Sequence, residues 1–217
     1  MKYLSIFTTL TLLIASSLEK EKQIPQVEIY IESLSPESIS FILNSFVKFH
    51  SNPEHDKLAT VNFLPYGNST EFWKDSDLYF NCTRGDNECF GNLLLICGMH
   101  EMSGEFVLNF VICIESNIRD YHDNFVLTLQ KCIRDENIGT HILSCARGRS
   151  GKRLMHDVGI KTKRHDHVPW IIFNGEHDVE IEKKIIENML DYFCNQDGNT
   201  EIAGCSSTKS FNRINDN

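Results

Sequence analysis

The chain has 217 residues, 41% hydrophobic and 24% charged, with a formal net charge of -9 when its nine histidines are neutral. That suits one globular domain with a core of its own and room for an insertion. The acidic balance excludes the clustered Lys/Arg footprint of a nucleic-acid partner. Protonation of all nine histidines would bring the charge to about zero, so an acidic compartment would largely neutralise the chain, although nine scattered histidines require no such purpose.

Met1-Lys2, an apolar run from Tyr3 to Ala15 and Ser16-Ser17 read as a secretory signal peptide over residues 1–17. The run is too short for a stable bilayer anchor, and with no other long apolar run no membrane span is expected in the mature chain. Residues 18–26 are a polar lead-in. Val27, Ile29 and Ile31 then alternate with Glu28, Tyr30 and Glu32, which predicts a strand. Ser35-Pro36-Glu37 predicts a helix start: serine caps free amides, proline fits the first turn, and glutamate meets the positive end of the dipole. Ile39, Ile42, Leu43, Phe46 and Val47 follow on one helical face. Ala59 to Leu64 predicts a second strand, parallel to the first because a helix joins them, and Leu64-Pro65-Tyr66-Gly67-Asn68 turns out of it.

Residues 69–167 hold six of the eight cysteines. Leu93–Met99, Phe106–Ile114, Asn124–Ile133 and Ile142–Met155 read as helices, so a mainly helical, disulfide-stapled region is expected there. Val168 to Glu176 returns to the sheet, with Asn174-Gly175 as a hairpin turn signal. Glu180 to Phe193 predicts a last helix with Ile181, Ile185, Met189 and Leu190 on its buried face. Residues 206–217 form a polar tail.

An even cysteine count behind a secretory leader predicts disulfides. Among the possible pairings only Cys194 with Cys205 is singled out, closing a short polar loop after the last helix. Cys-x-x-Cys and paired Cys/His spacings do not occur, so neither a metal site nor a cofactor is read. Arg164-His165-Asp166-His167 offers too few ligands and reads as a solvated loop. Asn68-Ser69-Thr70 and Asn81-Cys82-Thr83 are glycosylation acceptors, the first the stronger because Cys82 sits inside the second.

The most specific stretch runs from Cys82 to Cys97 and reads C-x-x-G-x-x-E-C-x-x-N-x-x-x-x-C, which places Cys82, Gly85, Glu88, Cys89, Asn92 and Cys97 at set spacings. It resembles the signature of the GILT family, the gamma-interferon-inducible lysosomal thiol reductases. The resemblance extends over nearly all of the mature chain. It includes Leu64-Pro65-Tyr66-Gly67-Asn68, the cysteines Cys113, Cys132 and Cys145, the run Cys145-Ala146-x-Gly148-x-x-Gly151-x-x-Leu154-Met155-His156, Val168-Pro169-Trp170 and Asn174-Gly175. It implies an α/β, thioredoxin-like fold over residues 18–205. A helical, disulfide-stapled insertion, about 69–167, would lie between the second and third core strands.

Two departures stand out. Thr83 and Arg84 occupy positions where the family usually has Gln and His. Ser35-Pro36-Glu37-Ser38 stands where the family carries its C-x-x-C. Dithiol reduction starts with a thiolate attacking a substrate disulfide, and a second thiol resolves the mixed disulfide. Serine at positions 35 and 38 forms no exchangeable bond with sulfur, and Glu37 would disfavour a thiolate beside it. Pro36-Glu37 and the native-looking leader favour natural divergence over engineered replacement. A hydrolytic role for Ser35 lacks a neighbouring base and a G-x-S-x-G turn, so a helix cap is its simpler role.

By resemblance, Val168-Pro169 would be the cis bond that faces the active site and pairs with extended substrate. The first reading is therefore a secreted or lysosomal glycoprotein that lost reductase chemistry and keeps extended or unfolded polypeptide as its partner. The second is a thiol reductase that uses another cysteine, such as Cys82 or Cys89, and it requires one of them to be free.

Overall fold

The computed structural model describes residues 23–121 and 124–205. The expected leader at 1–17 and the tail at 206–217 lie outside the described residues. Strand β1, Gln26–Ile31, is central in a three-stranded sheet of order β2-β1-β5. It pairs in parallel with β2, Thr60–Pro65, and antiparallel with β5, Trp170–Phe173. Val27, Ile29, Tyr30 and Ile31 are all buried, since helices cover both faces of this short sheet.

The helix after β1 is not regular. It begins as α1, Pro36–Phe41, passes through a π-helical turn at Ile42–Phe46, and ends as α2, Val47–His50. The π-turn presents buried Ser45 to the last helix, α9, Val179–Cys194. There the Ser45 hydroxyl donates to the Ile185 carbonyl at 2.7 Å and accepts from the Met189 amide at 2.8 Å. It stands inside the hydrogen bond those two groups would otherwise share, and Asn188 between them has non-helical φ/ψ of -156° and 92°. A side chain inserted into the ladder is a recognised cause of a kink. A short helix α3, His55–Leu58, leads into β2.

The stretch 69–167 departs from its mainly helical expectation at its start. Thr70–Lys74 (β3) and Asp77–Asn81 (β4) form an antiparallel hairpin. Asp75 and Ser76 turn it with positive φ values of 51° and 64°, the backbone hand that matches strand twist. Five helices follow: α4, Asp86–Glu101; α5, Glu105–Asn117; α6, Phe125–Cys132; α7, Glu136–Arg147; and α8, Arg149–Lys161. The single helix expected over Ile142–Met155 is two, broken at Gly148. The corner is tight: a Cβ on Gly151 would lie 2.4 Å from the Cys145 carbonyl oxygen.

Helix α4 is the hub. Ten of its residues between Glu88 and Gly98 are buried, and it packs against α5, α6, α7, α8, β2 and β4. A helix apolar all round belongs in an interior. Disulfides Cys97–Cys145 and Cys113–Cys132 staple α4 to α7 and α5 to α6, and Cys194–Cys205 closes the chain after α9. The Asn174-Gly175 turn carries one isolated bridge, Phe173 to Glu176, and then feeds α9 rather than a second strand.

Close packing at α4 makes a specific demand on Gly91, where a Cβ would fall 2.2 Å from Phe125 Cζ and 2.3 Å from Ser33 Oγ. Gly91→Ala is expected to destabilise the protein by about 1–3 kcal/mol through overpacking. Chemical denaturation with an unchanged m-value would show it.

Candidate functional site

The site gathers where β1 ends and α1 begins. Ser35 is the N-cap of α1: its Oγ accepts from the Ser38 amide at 3.2 Å, and its hydroxyl donates to Glu37 Oε2 at 3.0 Å. Ser38 Oγ accepts from the Glu32 amide at 3.3 Å. Both serines are fully buried. The two hydroxyls therefore organise the first turn of the helix. Glu37 is held below the usual carboxylate range by its own backbone amide, then by the Ser35 hydroxyl and the Arg84 charge. It places a negative charge at the mouth of the helix.

Beside this turn lies a cluster of acidic groups around one guanidinium. Glu32, at the end of β1, is buried. Its Oε1 accepts from the Asn68 amide at 2.8 Å and the Thr83 hydroxyl at 3.1 Å, and its Oε2 accepts from Arg84 Nη1 at 2.5 Å. Gly67, at φ 53°, lets the chain pass over this carboxylate, since a Cβ there would lie 2.2 Å from Glu32 Cγ. Arg84 Nη1 also donates to Glu88 Oε2 at 3.0 Å, and the Arg84 amide donates to Glu88 Oε1 at 2.9 Å. Arg84 Nη2 lies 3.9 Å from Glu37. Burial acts to lower the guanidinium's pKa, but its bonds to Glu88 and Glu32 raise it overall.

The Cys82–Gly85–Glu88–Cys89–Asn92–Cys97 stretch builds the other wall. Cys82 and Cys89 are joined to each other and close the turn at Gly85, where φ is 79°. Glu88 and Asn92 lie one helical turn apart on α4 and hold Ser33: its hydroxyl donates to the Glu88 carbonyl at 3.2 Å, and its amide donates to Asn92 Oδ1 at 2.9 Å. Cys97 is spent on the α4–α7 staple. Each of the eight cysteines is disulfide-bonded, Cys82 to Cys89 among them, so the reading that uses one of these two as a thiol requires that this bond first be reduced.

Val168-Pro169 is a cis peptide bond and both residues are buried. Trp170 pairs with Tyr30 in antiparallel register, so Pro169 follows at the end of the sheet from which Ser35 emerges. A cleft of 470 Å3 opens at the start of α1, lined by Leu34, Pro36, Ile39, Arg84, Ile118 and Arg119. Asn68 and Asn81 are exposed, before β3 and at the end of β4.

The loop at Arg164–His167 is not simply solvated. His165 is buried and packs edge-on against Tyr30 at 5.3 Å, while His167 Nε2 lies 2.8 Å from Glu182 Oε1. Glu182 in turn accepts from the Ile171 amide at 2.9 Å, tying α9 to β5. No group of three or more His, Cys, Asp or Glu side chains is arranged to hold a metal among the described residues. His156 Nδ1 lies 2.8 Å from Glu71, joining α8 to the hairpin.

Two roles in the site were not legible in sequence. Glu32 is a polar strand position that, by resemblance, matches the Glu before the family's C-x-x-C, but its partners come from distant loops. Glu115, on α5, is buried with neither carboxylate oxygen hydrogen-bonded among the described residues. Burial holds its carboxyl well above the usual range, and the charge of Glu88 adds to this.

The family profile described as "Gamma interferon inducible lysosomal thiol reductase (GILT)" matches residues 26–136. The chain is 26% identical over 189 residues to the gamma-interferon-inducible lysosomal thiol reductase of Carassius auratus, covering 82% of this chain and 71% of that protein. It is 26% identical over 184 residues to GILT-like protein 1 of Drosophila melanogaster, covering 77% and 73%. A gamma-interferon-inducible lysosomal thiol reductase-like protein of Anopheles gambiae is 25% identical over 184 residues, covering 77% and 75%.

Replacing Arg84 with Met leaves Glu32 and Glu88 buried without their cation. The expected loss is about 2 kcal/mol near neutral pH, below the range for a fully buried pair because Arg84 is a third open to solvent. The loss shrinks on acidification as Glu88, whose carboxyl burial already holds above its usual range, takes up a proton, which thermal melts across pH would show.

Glu115 gives a second pH signature. A carboxyl raised in the folded state binds its proton more tightly there than in the unfolded chain. Its contribution to stability is full below the ordinary value of 4.5 and is lost as pH rises through the raised folded value. Glu115→Gln is expected to stabilise the protein at neutral pH more than at acid pH, flattening Tm against pH; an unchanged slope would refute this.

Proposed function

Because this chain belongs to the gamma-interferon-inducible lysosomal thiol reductase family, we propose that it is a member without dithiol chemistry that binds extended polypeptide in the lumen of the secretory pathway. The observation that carries this reading is the engagement of Ser35 and Ser38 in the cap of α1 while all eight cysteines are in disulfides. A thiolate at a helix mouth is stabilised by the dipole and exchanges with a substrate disulfide. A serine hydroxyl is hardly ionised at physiological pH and cannot form that mixed disulfide. The charged Glu37 opposes a thiolate at the same place.

The fold in this reading is thioredoxin-like. Strands β1, β2 and β5 with α1, α2 and α9 form its core, and residues 69–167 are inserted between the second and third core strands. Val168 and Pro169, at the end of the sheet from which α1 starts, form the platform for an extended chain in this reading, with the cleft at Leu34, Pro36 and Ile39 as its extension. Four disulfides, together with the absence of any helix long and apolar enough to cross a membrane among the described residues, support a lumenal or extracellular setting. Exposed Asn68 and Asn81 would carry glycans.

Reduction of insulin in the presence of dithiothreitol tests the chemistry at acid and neutral pH. The natural chain is expected to remain at the dithiothreitol background, and Ser35→Cys/Ser38→Cys to rise above it. Turnover by the natural chain would overturn the reading. Reduced, alkylated insulin B chain is expected to give a saturable anisotropy change with the natural protein, lost in Leu34→Asp; absence of binding would remove the polypeptide-binding role.

A further inference from the structure

The two faces of the β3–β4 hairpin have different surroundings. Glu71 and Trp73 of β3, paired with Phe80 and Leu78 of β4, turn toward the body of the protein. Glu71 meets His156 of α8 at 2.8 Å, Trp73 and Leu78 line a cleft with Arg149 and Arg153 of α8, and Phe80 packs edge-on to Tyr66 at 6.3 Å. The opposite face sets Thr70, Phe72 and Lys74 against Asn81, Tyr79 and Asp77. Its two rings are open: Phe72 is 48% exposed and Tyr79 41%, with their centroids 5.7 Å apart. Lys152 Nζ lies 4.2 Å over the Tyr79 ring, so the open apolar surface is that of Phe72 and the rest of Tyr79.

The chain itself supplies a group that fits there. Asn81 ends β4 and opens Asn81-Cys82-Thr83, and Asn81 and Thr83 are both exposed. Side chains two apart on a strand share a face, so Tyr79 and Asn81 stand about 7 Å apart on the same side. Phe72, across the ladder from Tyr79, is the diagonal neighbour of Asn81, and such neighbours are about 7–8 Å apart. A sugar on the Asn81 side chain is therefore tethered beside both rings, and a tether supplies the local concentration that a free ligand lacks. The C–H face of a pyranose suits the electron-rich face of an aromatic ring.

The charges about the hairpin are of both signs: Lys74 and Lys152 stand against Glu71, Asp75 and Asp77, with Lys152 and Asp77 joined at 2.7 Å. That surface suits a neutral partner rather than an ionic one. The other acceptor has no such platform. Tyr66 stands at the same spacing before Asn68, but it is buried, and Gly67 between them turns the chain at φ 53°.

We infer that an N-linked glycan on Asn81 lays its first N-acetylglucosamine on the Phe72–Tyr79 pair and covers this face of the hairpin. The inference rests on the reading above that Asn81 carries a glycan in the secretory lumen. In that attachment the Asn81 side-chain nitrogen loses a proton and bonds the anomeric carbon of a lipid-linked oligosaccharide, whose lipid pyrophosphate leaves. The packed sugar also shields the Asn81 end of an exposed two-stranded sheet from pairing with another chain.

The full chain secreted from a eukaryotic host tests this in two steps. Glycopeptide mass spectrometry reads occupancy, and an empty Asn81 would overturn both the glycan reading at this residue and the inference. With Asn81 occupied, thermal melts of a double-mutant cycle read the packing. Asn81→Gln is expected to lower Tm by about 2–4 °C when the rings are present, and by less than about 1 °C in the Phe72→Ser/Tyr79→Ser background. The cycle subtracts what the ring substitutions cost by themselves, the Lys152 contact included. Phe72→Ser alone keeps that contact and serves where the paired variant is poorly secreted; it is expected to remove about half of the coupling. Asn68→Gln is expected to shift Tm equally in both backgrounds. Equal shifts from Asn81→Gln in both backgrounds would overturn the inference and leave the glycan reading in place.

Discussion

The structure depends on how a carboxylate at the end of the central strand is satisfied. Glu32 is buried, and an ionised carboxylate out of water costs several kcal/mol unless it is paired and hydrogen-bonded. Its partners come from three places: the Gly67-Asn68 turn after β2, Thr83 in the turn closed by Cys82–Cys89, and the guanidinium of Arg84. One side chain thus ties the sheet to the start of α4. Glu88 uses the same guanidinium and so connects the constraint to the buried hub helix. Thr83 and Arg84, neighbours in the turn closed by Cys82–Cys89, both donate to Glu32.

This charge cluster bears on chemistry. The family's reaction draws on a thiolate favoured by a helix dipole. Here the same dipole is met by a serine cap and by an ionised Glu37, while Arg84 sits among three carboxylates. A cleft lined by Leu34, Pro36 and Ile39 opens at the helix mouth, and the cis Val168-Pro169 bond lies at the same end of the sheet. The disulfides serve as staples: Cys97–Cys145 spans 48 residues, a loop for which the chain-entropy account gives about 4 kcal/mol.

Much of the architecture was legible in patterns of period two and period 3.6. Alternation at Val27, Ile29 and Ile31, the cap at Ser35 and the apolar face of the last helix each act within a few residues, where propensity and burial agree. The hairpin was readable in principle, since Phe72, Trp73, Tyr79 and Phe80 are strand formers around a turn of Asp and Ser. It was obscured because the neighbouring cysteines drew the stretch into a helical region. The break at Gly148 and the kink at Asn188 were not legible. One arises from the close approach of two helices and the other from a hydroxyl 140 residues away inserting into the ladder.

From its residues alone, the chain declared its family, serine rather than cysteine at positions 35 and 38, and the strands and helices of its core. These follow from side-chain chemistry and from spacing along a single element. Only the tertiary structure decided how the other six cysteines are joined, that Arg84 answers both Glu32 and Glu88, that Glu115 lies buried without a hydrogen-bond partner among the described residues, and that three aromatic rings stand in water on one hairpin. Each of these depends on which distant segments meet and which are left open. Burial and pairing are properties of that meeting, and no local pattern encodes them.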